Sequence, residues 1–308
     1  MKKNFRFGLL AAVLCASTSA SFAATYVVDS SGAGDALTIN DALTSATVGD
    51  TIQVVNAGSN YDETIDVPEG VTIEGVGTPL PIIAAPADVA PSSEPNVVRG
   101  VVEIGGPDVT IKDVEIWVNQ PNAAFGILAH DTTHSSSPNN NIPQTAPSGF
   151  DNLTIDGVII RSTLTQADAS NLWHSRGMRL ARRTGDIENV LIQNTEVRSG
   201  RGNGAFASDV FVLFNDDSTT ESVAPFARGV SFSGVQGTIQ NSKFEAFVQD
   251  VHSDFINGPV TIENNEFLYA GLEINSPNAA GDYVVRGNHF EHTILATTDG
   301  GVTYDSRD

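Results

Sequence analysis

Apolar and polar residues alternate along most of the chain, and one short block of that alternation recurs. It begins at Val71, Val109, Leu153, Val190, Gly237, Val260 and Tyr283. The third residue of each block is β-branched and apolar: Ile73, Ile111, Ile155, Ile192, Ile239, Ile262 and Val285. The fourth is polar, and the fifth is Gly, Asp or Asn (Gly75, Asp113, Gly157, Asn194, Asn241, Asn264, Gly287). Those three residue types best tolerate a left-handed backbone conformation. An apolar residue returns three positions later at Ile116, Ile160, Val197, Phe244, Phe267 and Phe290. Each block therefore predicts a strand, a one-residue corner and a second strand, with side chains alternating between core and solvent on both sides of the corner.

The anchor residues are spaced 38, 44, 37, 47, 23 and 23 apart. A corner that recurs about every 23 residues predicts a solenoid of stacked parallel strands, the longer intervals being one rung plus an inserted loop. Stacking at about 4.8 Å pairs each strand with the next and lets corner Asn side chains hydrogen-bond along the ladder. A third strand is expected before each anchor, at Gly126–His130, Gly177–Ala181, Val210–Phe214, Asp250–Asp254 and Gly271–Asn275. Long insertions flank this strand (131–149, 162–176, 215–228), so its sheet is where binding and catalysis are expected. Counting two and four residues on from Gly126, Gly177, Asp250 and Gly271 places Leu128, Arg179, His252 and Glu273 in one outward row, and His130, Ala181, Asp254 and Asn275 in the next.

The repeat resembles the right-handed parallel β-helix proteins, the pectate-lyase-like superfamily. The resemblance extends from Asp35-Ala-Leu-Thr-Ile-Asn-Asp-Ala-Leu43, Val48–Val54 and Tyr61–Ile65 through the seven blocks. It implies an all-β fold, a single-stranded right-handed parallel β-helix, with a short N-terminal helix over the open end. It also implies a substrate groove along the loop-flanked sheet. The motif is specific for fold and unspecific for function, since the superfamily contains lyases, hydrolases, esterases, adhesins and phage spikes. Gln249-Asp250 and Asp254-Phe255-Ile256-Asn257-Gly258 resemble fragments of pectin methylesterase motifs. They depart from them in spacing and at Asn257, so that activity is not implied.

The first residues change the picture of where the protein works. Lys2, Lys3 and Arg6 precede a short apolar run, and Ser21-Phe22-Ala23 offers small residues for cleavage after Ala23. Residues 1–23 are expected to be a signal peptide and 24–308 one β-helix domain, in a secreted, periplasmic or cell-surface protein. The apolar run is too short to span a bilayer, so no integral membrane segment is expected. The sole cysteine, Cys15, falls within that leader. The remaining chain then contains no thiol or disulfide.

Sixteen Lys and Arg against 37 Asp and Glu give a net charge of −21. Without the leader this becomes −24, a surface that repels phosphate backbones, so no nucleic-acid partner is expected. Only 17% of residues are charged and 40% are hydrophobic, which excludes a disordered acidic tail. The expected partner is a polysaccharide, acidic or neutral, bound and cleaved by a lyase or a glycoside hydrolase. A non-catalytic adhesion module or a carbohydrate-binding solenoid is the competing expectation. The candidate catalytic residues are His252, Asp254, Glu273 and Arg179: two carboxyls for acid–base work, a histidine base and a guanidinium to neutralise a uronate. His130, Arg182, Trp173 and Asn275 are the candidate substrate contacts. Asp250 and Asp131 are candidate calcium ligands, because hard cations take clustered oxygens. Arg161 and Arg198 stack on another face and are expected to serve a different surface or to pair with local acids.

Overall fold

The computed structural model describes residues 23–88, 99–120, 123, 125–130, 149–162, 176–181, 187–198, 228–233, 235–245, 249–254, 258–268, 272–274, 283–291, 298–299 and 302–303. Among these the protein is all-β, with three parallel sheets and one helix. The arrangement is compatible with a parallel β-helix. Sheet A contains Thr25–Val28, Thr51–Val55, Thr72–Val76, Thr110–Lys112, Thr154–Asp156, Ile187–Gln193, Val235–Gln240, Val260–Glu263 and Tyr283–Arg286. Sheet B runs in the same sense through Tyr61–Asp62, Ile82–Ala84, Glu115–Val118, Ile159–Ser162, Glu196–Arg198, Lys243–Glu245, Glu266–Leu268 and His289–Glu291. Sheet C takes Ile65–Val67, Gly100–Ile104, Phe125–His130, Arg176–Ala181, Arg228–Ser233, Gln249–Asp254 and Leu272–Ile274. From Thr51 onward the chain visits A, B and C in turn and then returns to A. A short antiparallel pair, Thr298–Asp299 with Val302–Thr303, follows.

The recurrent blocks set the register. The seven anchors are direct partners from Ile73 to Val285, and Ile52 adds an eighth ahead of them. In sheet B the returning apolar residues pair likewise from Ile116 to Phe290. The rings of Phe244, Phe267 and Phe290 stack with centroids 5.3 and 4.7 Å apart. Alternation thus sends one column of each sheet into a shared core.

Six of the seven corner residues have positive φ: Asp113, Gly157, Asn194, Asn241, Asn264 and Gly287. Gly75 does not. The strand continues through it to Val76, and the left-handed residue is Gly77 at φ 122°. Gly75 meets a different demand, close approach: a Cβ there would lie 1.8 Å from the Asp113 carbonyl oxygen.

A second left-handed series, unforeseen in the sequence, precedes the sheet A strands at Gly49, Gly70, Asp108 and Asn152 and falls at the register shift inside Ile187–Gln193 at Asn189. Each lies three residues before an anchor, a regularity the sequence does carry. Asn152 Nδ2 donates to Asp108 Oδ1 at 2.7 Å and Asn189 Nδ2 to Asn152 Oδ1 at 3.0 Å, so side chains and corners form one ladder.

The short helix begins inside the Asp35–Leu43 segment and ends just beyond it. Helix α1 spans Ile39–Ser45, because Thr38 is its N-cap and accepts from the Asp41 N–H. Glu63 takes the next orphan donors, its two oxygens accepting from the Ile39 and Asn40 N–H groups at 2.8 and 2.9 Å. Ile39 and Ala42 are buried in the common core. Asp35 instead accepts from the Val27 N–H.

Sheet C requires one more correction. Between Arg176–Ala181 and Gln249–Asp254 the strand is Arg228–Ser233. The expected Val210–Phe214 lies outside the described residues.

Candidate functional site

The outer face of sheet C begins with its inner one. Ile65, Val67, Val102, Ile104, Ile127, Ala129, Met178 and Leu180 enter the core, so the residues between them face away from it. Backbone register then aligns Asp66, Glu103, Leu128, Arg179, Ser231, His252 and Glu273 in one row across seven strands. The second row aligns His130, Ala181, Ser233 and Asp254. The expected order Leu128, Arg179, His252, Glu273 is therefore found, with Ser231 interposed. Asp66 and Glu103 extend the row beyond it.

His252 and Glu273 are direct cross-strand partners, and Asp254 follows His252 by two residues on the same strand. Of His130, Asp250, His252, Asp254 and Glu273 the structure describes the backbone alone. Asp131, Trp173, Arg182 and Asn275 lie outside the described residues. Arg179 is half-buried on the outer face. Among the described residues no group of three or more His, Cys, Asp or Glu side chains converges as a metal site.

The described side chains bring forward a pair that sequence reasoning missed. Asp66 and Glu103 are partners on adjacent strands, and both carboxyls are shifted towards the protonated form. Partial burial of its carboxyl raises Asp66, whose residue is otherwise exposed on the outer face. Burial is also the main cause at Glu103, and the Asp66 charge adds to it. The Gly100 N–H and the Arg99 guanidinium oppose the shift without reversing it. The Gly100 N–H donates to Glu103 Oε1 at 3.2 Å. Next in the row, Leu128 is 0% exposed although it faces away from the core and is not part of the core cluster. An apolar side chain beside Glu103 lowers the local dielectric, consistent with the direction of its shift.

Glycines shape this corner. A Cβ on Gly100 would come within 2.8 Å of Leu128 Cβ, and one on Gly105 within 2.9 Å of Asp66 Oδ1. The pair escapes the glycine count because Ile65–Val67 has no glycine marker and Gly100–Ile104 does not start on the pattern of its neighbours.

The arginines of the other face are engaged. Arg161 and Arg198 are cross-strand partners in sheet B, with Trp117 next in the row. Arg161 Nε lies 2.8 Å from Glu115 Oε1, which also accepts from Trp117 Nε1 at 2.6 Å. Arg198 pairs with Glu196 and, at 3.9 Å, with Glu245. Pairing with local acids, rather than a basic binding patch, describes these two residues.

The fold and this row define an all-β protein of stacked parallel strands with a polar row, part acidic, along one sheet. No protein-family model matches the chain, and no curated protein matches it either. Among the described residues no helix is long and apolar enough to cross a membrane.

Proposed function

We propose that this protein is an exported, right-handed parallel β-helix of the pectate-lyase-like kind, which binds a polysaccharide along the outer face of sheet C and hydrolyses it there. Helix α1 covers one end of the solenoid, and residues 1–23 are removed on export. The in-register row from Asp66 to Glu273 carries the reading, because it places two carboxyls of raised proton affinity beside each other on a rigid sheet. Hydrolysis of a glycoside needs such a pair: one carboxyl to protonate the leaving oxygen and a second that remains ionised. Glu103, whose proton affinity is raised by burial and by its neighbour's charge, is the acid. It gives its proton to the glycosidic oxygen as the carbon–oxygen bond breaks, and water adds its hydroxyl to the sugar carbon while its proton passes to the Asp66 carboxylate and returns through solvent to Glu103. Asp66 is the ionised partner. Arg179, His252 and Glu273 extend the same row and position further sugar units. Paired carboxyls favour hydrolysis over elimination, for which a basic group beside a uronate is needed.

The test is a panel of neutral and acidic glycans incubated with the protein and scored for reducing ends and for unsaturated uronates in the ultraviolet. Reducing ends without new absorbance support the proposal. New absorbance assigns a lyase and overturns the role of Glu103. Binding without either product assigns a carbohydrate-binding module.

A further inference from the structure

The start of the described chain is held by an acid that the glycan site does not use. Asp50 is 3% exposed, and its carboxylate accepts three hydrogen bonds. Thr47 supplies two, from its N–H at 2.8 Å and its hydroxyl at 2.9 Å, both to Oδ2. The third comes from the nitrogen of Ala24, 2.6 Å from Oδ1. That separation is shorter than the usual N–H···O distance of about 2.9–3.0 Å, and the carboxylate acceptor makes the contact charge-assisted. The Ala24 N–H is also the largest cause holding the Asp50 carboxyl below the usual carboxylate range. Ala24 is fixed from its other side as well, its carbonyl accepting from the Thr51 N–H at 2.8 Å. The nitrogen is thus clamped between Asp50 and the first strand pairing of sheet A.

Ala24 is also the first residue after the small-residue pattern Ser21-Phe22-Ala23. We infer that Asp50 is a docking site for a new chain terminus: after cleavage between Ala23 and Ala24, the α-ammonium group of Ala24 forms an ion pair with the Asp50 carboxylate. This rests on the export reading and is independent of the glycan reading. In the cleavage, an endoprotease of the signal-peptidase class breaks the Ala23–Ala24 amide. Water adds its hydroxyl to the Ala23 carbonyl carbon and a hydrogen to the Ala24 nitrogen, and the amine then takes a proton from solvent. The same atom that donated as a neutral amide thereby becomes a tetrahedral cation, and the acid gains a counter-charge at the position its hydrogen bond already occupies. The site is a stable seat for a processed start at residue 24 and for no other residue, since a start upstream restores the uncharged amide.

The experiment begins with the full chain expressed with its leader in an exporting bacterium. The exported protein is analysed by intact mass and N-terminal sequencing, and its α-amine is then titrated by NMR after ¹³C-methylation. The expected result is a start at Ala24 and an α-amine titrating above its ordinary range of about 7.7–8.0. Because that value is raised by folding, the contribution to stability is present below the ordinary range and is lost as the pH rises through the folded value. The thermal midpoint of the wild type falls in that window. That of Asp50→Asn, which has no charge to pair, does not. An uncut chain or a different start overturns the export reading and the docking site together. A start at Ala24 with an α-amine in its ordinary range overturns the docking site alone. That titration needs only the wild-type protein, so it decides the matter even where Asp50→Asn does not fold.

Discussion

At Glu103, burial and the charge of Asp66 act in the same direction, and both favour the neutral acid. Folding therefore holds a proton on Glu103 at a pH where the unfolded chain has released it. Stability from this group is complete below the ordinary carboxyl value and is lost as the pH rises through the raised one. Glu103→Gln keeps the shape of the protonated form and removes the titration. Its thermal midpoint relative to wild type should be higher at pH 7 than at pH 4. Its hydrolytic rate should fall by about 10²–10⁴-fold, the usual contribution of a general acid. An unchanged rate on a cleaved glycan would remove Glu103 from the chemistry. Glu74 has the opposite sign. Its carboxyl is lowered chiefly by Lys112, 2.8 Å away, so its contribution is present above the ordinary value and is lost as the pH falls. Lys112→Met should therefore lose more stability relative to wild type at pH 7 than at pH 3, as read by thermal melts. Corner residues such as Asn194 were legible because few residue types accept positive φ. The proton affinity of Glu103 was not, because it depends on a neighbour that is distant in sequence.

Among elements, the turn from sheet A into sheet B shows how one residue type takes two roles. In Asn264-Asn265 the first residue makes the corner, at φ 56°, and is exposed. The second turns inward, is 2% exposed and is hydrogen-bonded along the stack. Asn265 Oδ1 accepts from the Ser242 N–H at 2.9 Å, and its Nδ2 donates to the Ile239 carbonyl and to Asn288 Oδ1, each at 3.0 Å. A side-chain ladder thus runs one residue beyond the corners and inside, through Ser242, Asn265 and Asn288. Removing a buried member leaves its partners unpaired. Asn265→Ala should cost about 1–3 kcal/mol in urea unfolding. Asn264→Gly, at a backbone angle that glycine adopts freely, should stay within about 1 kcal/mol. Equal losses would mean that the side chain of the corner, rather than the buried ladder, holds the turn. The strand Arg228–Ser233 was harder to foresee than these turns. Both 210–214 and 229–233 contain apolar residues at strand spacing, and the choice between them is made by the strands on either side, Arg176–Ala181 and Gln249–Asp254. Local periodicity contains no information about those partners.

Across the whole molecule the anchor column gives a gradient that can be measured. From Ile52 to Ile262 every anchor of sheet A is fully buried, because each has a strand on both sides and core beneath. At one end of the molecule Ile39 and Ala42 of helix α1 join the same core. At the other end Val285 occupies the same register position on the last strand of the sheet and is 42% exposed, with Val284 beside it at 40%. Stability in stacked repeats is a sum over rungs and their nearest-neighbour interfaces, so an interior anchor supports two interfaces and a terminal one supports a single interface. Ile155→Ala should therefore cost about 2–5 kcal/mol in urea unfolding, the usual loss for a buried Ile or Leu truncated to Ala. Val285→Ala removes two methyls from a side chain that is already partly in water and should cost less than about 1 kcal/mol. If the two losses prove equal in solution, Val285 is covered there by something the described residues do not supply. Repeating the Val285→Ala measurement over a hundredfold range of protein concentration then separates a second copy, whose protection grows with concentration, from a segment of the same chain, whose protection does not.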